Sequence, residues 1–133
     1  MTLESNILKH SIIKTAVKAA KMVCNHKHRH GAVIFKGSHV ISSGRNFTHK
    51  YSSKVNTNYI RWIDSIHAEV DAIIHSNIRD CKRASILVIR LNNNDDFRLS
   101  KPCSHCLSLI HHVGIKKIYY SINIYPFFEL IEL

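Results

Sequence analysis

Apolar positions between residues 5 and 24 fall on one side of a helical projection. Leu8, Ile12, Ala16 and Ala20 recur at i+4 with Ile13, Val17 and Cys24 beside them, while Lys14, Lys18 and Lys21 face away. A first amphipathic helix is predicted there. After Gly31 the pattern becomes that of strands, Ala32-Val33-Ile34-Phe35 and Val40-Ile41-Ser42. The short connection Lys36-Gly37-Ser38-His39 permits only an antiparallel hairpin between them. A second helix is predicted from about Ser65 to Ser76, with Ile66, Val70, Ile73 and Ile74 in one stripe and Ser65 as its N-cap. Ile86-Leu87-Val88-Ile89 is an unbroken apolar run, the pattern of a strand covered on both faces. A third helix is predicted to open at Pro102, whose missing N–H costs nothing in a first turn. It presents Cys106, Leu107, Ile110 and Val113 to the core and stops at Gly114. Lys117 to Ile122 completes the set as a further strand.

Between these elements lie a polar stretch over residues 46–62 and the turn Asn92-Asn93-Asn94-Asp95-Asp96. A polar loop that long in a compact domain is a candidate functional loop. Helices alternating with strands predict an α/β sandwich with at least two parallel strands. The tail is constrained by distance. Only Tyr125-Pro126 separates the strand region ending near Ile124 from Phe127-Phe128-Glu129-Leu130-Ile131-Glu132-Leu133. A parallel crossover takes a dozen or more residues, so a tail strand in the same sheet must be antiparallel.

The 133 residues, 45% of them apolar, fit one globular domain spanning 1–133. No run reaches the ~20 apolar residues of a membrane span, and no signal-peptide core precedes the first helix, so an intracellular, non-membrane protein is expected. Charge is uneven. Eleven Lys/Arg and a single acidic residue, Glu4, fall in residues 1–63, whereas the remainder is balanced, so the formal charge of +10 belongs to the first half. Such a field suits an anionic partner, either a nucleotide phosphate or a nucleic-acid backbone.

The chemistry is carried by His67-Ala68-Glu69 and Pro102-Cys103-Ser104-His105-Cys106. One His and two Cys supply three of the four positions of a tetrahedral zinc site, His67, Cys103 and Cys106, and leave the fourth open, the arrangement of a hydrolytic centre. Cys103 and Cys106, three apart in the first turn of a helix, point the same way, and the helix N-terminus favours their thiolates. Glu69, about 200° round a helix from His67, is poorly placed as a ligand and well placed as a general acid/base acting on water. His-x-Glu with Pro-Cys-x-x-Cys is the signature of zinc nucleobase deaminases. The alternative, a closed Cys/His zinc knuckle, gives Glu69 no duty.

Further segments extend the likeness: His30-Gly31-Ala32-Val33-Ile34, Ser43-Gly44-Arg45-Asn46, His67-Ala68-Glu69-Val70-Asp71-Ala72-Ile73, Ser100-Lys101-Pro102-Cys103 and Gly114-Ile115-Lys116-Lys117-Ile118-Tyr119-Tyr120-Ser121. The chain resembles the cytidine and deoxycytidylate deaminase superfamily over most of residues 5–123. The resemblance implies a three-layer α/β/α sandwich around a central mixed sheet of four or five strands, with Zn2+ as cofactor. It implies Glu69 as the catalytic residue, a contact from Asn46 to the sugar or base, and a base pocket lined at Ala32, Ala68 and the backbone of Ser100 to Pro102. Arg45 departs from the aromatic common at its position.

Three functions remain open at this level. The first is deamination of a free cytosine nucleoside or nucleotide, with a homo-oligomer as the expected assembly. The second is deamination of a base within nucleic acid, as in tRNA adenosine deaminases. The third is a non-catalytic, zinc-stabilised binding module. Lys50, Lys54 and Arg61, with His49 and Trp62 nearby, are a candidate phosphate clamp. His26, His28 and His30 suit either a second metal or a solvated strand entry. Tyr119-Tyr120 suits sheet packing, and Cys24 and Cys81 suit small buried hydrophobes.

Overall fold

A computed structural model of the chain describes residues 8–23, 28–48 and 65–133. The proposed loop clamp (Lys50, Lys54, Arg61) lies outside the described residues, as do Cys24 and His26.

The first helix, α1 (His10–Lys21), buries Ile12, Ala16, Ala19 and Ala20. It is followed by the hairpin β1 (Arg29–Lys36) and β2 (His39–Arg45), antiparallel with a register shift between Ile34 and Phe35. Next come the short pair β3 (Phe47–Thr48) and β4 (Ser65–Ile66), then α2 (Ala68–His75) and one turn, α3 (Ile78–Cys81). The rest of the chain is β5 (Ser85–Leu91), β6 (Phe97–Arg98), α4 (Ser104–His112), β7 (Lys117–Ser121) and β8 (Phe128–Glu132).

The sheet runs β2-β1-β5-β7-β8, with β6 paired to the far end of β5 as a sixth, two-residue strand. Only β5 and β7 are parallel, joined through α4. The tail strand β8 is antiparallel to β7, Tyr119 facing Leu130 and Ser121 facing Phe128. That gives the expected mixed sheet, one strand larger than anticipated because Arg98 and Phe97 fold back on Arg90 and Leu91.

Strand alternation divides the core in two. Ala32, Ile34, Ile86, Val88 and Ile118 pack under α2 and α4, whereas Val33, Phe35, Leu87, Ile89 and Tyr119 pack against α1. A fully buried Ile or Leu contributes roughly 1.5–3 kcal/mol relative to exposure, so the buried-both-faces β5 anchors both layers. Two glycines set how closely the helices lie. A Cβ on Gly31 would sit 2.1 Å from the Ala16 carbonyl oxygen of α1, and one on Gly44 would sit 2.3 Å from the Ala72 nitrogen of α2. Both helices therefore rest directly on strand backbone.

Two boundaries differ from the sequence expectation. Ser65 is not the N-cap of α2. Residues 65–66 pair with β3, and the cap position falls to His67, whose imidazole makes no capping bond. The third helix begins at Ser104 with Cys103 as its cap, so Pro102 precedes it by two residues. In both cases the residue at the cap is a candidate metal ligand rather than a conventional capping side chain.

Candidate metal centre and active site

His67 and Cys103 occupy the N-cap positions of α2 and α4, and Cys106 lies one turn into α4. The topology brings these helix starts together over the ends of β1 and β5. His67 Nδ1 lies 3.3 Å from Cys106 Sγ and 3.7 Å from Cys103 Sγ, and one donor atom from each of the three residues falls within 4.8 Å of the others. Among the described residues this is the one His/Cys/Asp/Glu group that could hold a metal ion. His105, between the two sulfur donors, is half-buried and outside it.

The bed of α2 is fixed independently of any metal. Asp71 Oδ2 accepts the Arg45 N–H at 2.9 Å, Asp71 Oδ1 lies 3.1 Å from His75 Nδ1, and Ser42 Oγ donates to the Ala72 carbonyl at 2.6 Å. With Gly44 beneath, the bonds from Arg45 and Ser42 hold α2 to β2 and so hold His67 and Glu69 in place.

Glu69 is 5% exposed and hydrogen-bonds to Cys106. Burial pushes its carboxyl from 4.5 up to about 7, against the lowering effect of bonds from its own backbone N–H and from Cys106. Burial also pushes the Cys106 thiol far above its usual range, with the charges of Glu69 and Cys103 adding to the rise. The buried Cys106 thiol and Glu69 carboxyl, in contact with each other, cannot both ionise without a counter-charge. A cation removes that conflict, and a donor set of one imidazole and two thiolates with a position left over fits zinc.

A cavity of about 240 Å³ opens on this corner, lined by His67, Cys103 and Glu69 on one side and by Asn46, Ser100 and Lys101 on others. His28 and His30 also face it. His28 directly precedes β1 and His30 lies within it. Among the described residues they belong to no metal cluster. Asn46 is 4% exposed; its Oδ1 accepts the His30 N–H and its Nδ2 donates to the His28 carbonyl, each at 2.8 Å. Ala32 and Ala68, expected at the base pocket, are wholly buried in the core layer and are not among the cavity's lining residues. The Ser100 hydroxyl donates to the Val88 carbonyl at 2.7 Å and fixes the segment entering Cys103.

The fold has counterparts among solved structures. The fold is similar to dCMP deaminase from the cyanophage S-TIM5 (TM-score 0.62, 23% identity, 86% of this chain and 82% of that one). It is also similar to cytidine deaminase from Mycobacterium leprae (TM-score 0.52, 16% identity, 90% and 89%). Acinetobacter baumannii RibD shares the fold over 83% of this chain but only 27% of its own (TM-score 0.52, 17% identity). No curated protein sequence matches the chain. The family profile described as cytidine and deoxycytidylate deaminase zinc-binding region matches residues 7–122. The chain therefore belongs to the cytidine and deoxycytidylate deaminase zinc-binding family.

Proposed function

We propose that this chain is a zinc-dependent hydrolase that deaminates a free cytosine nucleoside or nucleotide to the uracil form plus ammonia. One observation carries the reading. Glu69 is buried in contact with Cys106 and opens on the same small cavity as His67 and Cys103. His67, Cys103 and Cys106 would hold the ion, which when bound supplies the Lewis acidity that makes water nucleophilic near neutrality. Glu69 takes one proton from the attacking water and delivers it to the ring nitrogen next to C4. It then carries the second to the departing amine, so that C4–NH2 plus water becomes C4=O plus ammonia. Burial of the carboxylate keeps bulk water from exchanging that proton. Asn46 holds the cavity wall that meets the sugar or base.

The setting that suits these sulfurs is a reducing intracellular compartment, and no described helix is long and apolar enough to cross a membrane. A homo-oligomer is part of the same proposal, supported by the exposed Leu99, Ile124 and Tyr125. The direct test is to incubate metal-loaded protein with cytidine, deoxycytidine, CMP and dCMP, and in parallel with adenosine, tRNA and single-stranded DNA, following ammonia release. Turnover of at least one free cytosine compound is expected. Turnover confined to polymers would overturn the choice of substrate, and inertness of zinc-loaded protein on all of them would leave only a binding module.

A further inference from the structure

Three basic side chains form one cross-strand row at the end of the sheet that carries the cavity. His30 of β1 stands opposite Arg90 of β5, and Arg90 stands opposite Arg98 of β6. Directly opposed residues of antiparallel strands share a face. Alternation along β5 puts Arg90 on the face of Ile86 and Val88, which pack in the layer under α2 and α4. The neighbours of Arg90 on both sides lead into the cavity wall, His30 from β1 and Ser100 just past β6.

Like charges directly opposed across strands destabilise a sheet. The same hairpin treats its other face differently. There Arg29 and Lys21 are both paired with Asp95. On the cavity face, neither Arg90 nor Arg98 has an acidic partner among the described residues. Arg98 turns one nitrogen back onto the Phe97 carbonyl, and the buried Nε of Arg90 has no hydrogen-bond partner among the described residues. A buried donor left unpaired carries a penalty that a ligand acceptor would remove. The backbone beneath the row is tied together. The wholly buried Ser121 accepts the Arg90 N–H at 3.1 Å and donates to the Arg98 carbonyl at 2.7 Å.

Resting on the deaminase reading above, we propose that His30, Arg90 and Arg98 form a phosphate subsite of the cavity, and that the substrate is a nucleotide rather than a nucleoside. Planar guanidinium groups match phosphate oxygens in pairs, and uncompensated ones favour a dianion most. Adjacent strands lie about 4.8 Å apart, so the row extends about 10 Å from a cavity-lining residue, a span within reach of the phosphate of a nucleotide seated there. Lys101, also at the cavity, adds to the field.

The test compares kcat/KM for the pairs CMP/cytidine and dCMP/deoxycytidine in the wild type and in Arg90→Gln, Arg98→Gln and Arg98→Lys. The wild type is expected to prefer nucleotide. Each Gln variant should lower the nucleotide-over-nucleoside ratio about 10- to 100-fold, the size of a charge-assisted hydrogen bond, with Arg98→Lys recovering part. An unchanged ratio in both Gln variants, equal wild-type use of nucleoside and nucleotide, or activity only on polynucleotides overturns the proposal. Calorimetric binding of uridine monophosphate against uridine gives a readout that needs no turnover. If no free cytosine compound reacts, the deaminase reading fails. Tighter monophosphate binding that is lost in the Gln variants would still support the subsite, and equal binding of the two ligands would sink it.

Discussion

The side-chain amide of Asn46 clasps the backbone on either side of Arg29: Oδ1 accepts the His30 N–H and Nδ2 donates to the His28 carbonyl. Asn46 directly follows β2 and His30 lies in the first residues of β1, so this clasp closes the mouth of the hairpin at the cavity wall. One lone pair of Oδ1 and one N–H of Nδ2 are thereby committed, leaving one of each for a ligand.

Asn46→Ala should therefore act on stability and activity together. It strands a donor and an acceptor at a partly buried position, at about 1–3 kcal/mol for each group that water cannot reach. Thermal unfolding should move down by several degrees, and kcat/KM should fall at least tenfold as the wall bearing His28 and His30 loosens. Asn46→Asp keeps the acceptor for the His30 N–H and loses the donor to His28, so its melting point should fall between the two. A melting point for Asn46→Ala equal to wild type would show the clasp to be dispensable.

Glu69 and the three donors should separate cleanly in a second pair of variants. Glu69→Gln keeps volume and burial and leaves His67, Cys103 and Cys106 intact, so metal content should stay at one ion per chain while turnover drops about 10²- to 10⁴-fold, the range for loss of a general acid/base. Cys103→Ala should lose the metal instead. Chelation of the wild type should lower its melting temperature, because an ion bound only by the folded chain stabilises it by mass action. Metal analysis beside activity checks both, and a fully active Glu69→Gln would refute the acid/base role.

The grouping of His67, Cys103 and Cys106 beside Glu69 was legible in the sequence because spacing carries it: a three-residue step at a helix start brings Cys103 and Cys106 near each other, and His67-x-Glu69 places a carboxylate beside a donor. The antiparallel tail was legible for a similar reason, since the connection before Phe128 is too short for a crossover. What escaped was set by long-range pairing. Nothing local announces that Ser65 pairs with Thr48, which moves the start of α2 to His67. Nothing local places Arg98 against Arg90 either. The expected pocket role of Ala32 and Ala68 came from resemblance, and both residues are core members in the layer under α2 and α4.

Gly44→Ala tests whether close packing, rather than any side-chain chemistry, positions the centre. Its added Cβ would lie 2.3 Å from the Ala72 nitrogen and 2.6 Å from the Ala68 carbonyl oxygen, both helix backbone, so α2 itself must shift. Overpacking of this kind costs about 1–3 kcal/mol or more. Activity should fall further than stability predicts, because His67 and Glu69 move with the helix. Gly37→Ala is the control. Its φ of +59° strains an alanine, but no atom lies within 4 Å of the new Cβ, so stability should drop modestly with activity unaffected. Equal activity in the two variants would argue against a positional role for Gly44.

The tail strand gives a pH-dependent prediction remote from the metal. Tyr120 of β7 donates its hydroxyl to Glu129 Oε1 of β8 at 2.7 Å. That bond, followed by burial and the carboxylate's charge, holds the Tyr120 hydroxyl above its ordinary value of 10.0. Because the folded value is raised, the contribution to stability is fully present below the unfolded value. It is lost as pH rises through the folded one, where deprotonation sets two negative charges against each other. Glu129 is exposed and water competes for it, so the contribution is about 0.5–1 kcal/mol. Tyr120→Phe should be less stable than wild type by that amount at about pH 8, and the gap should narrow as pH rises above the ordinary tyrosine value of about 10. Denaturant unfolding of both proteins across that interval measures it, and a gap that widened with pH would mean that the hydroxyl favours its ionised form in the folded chain.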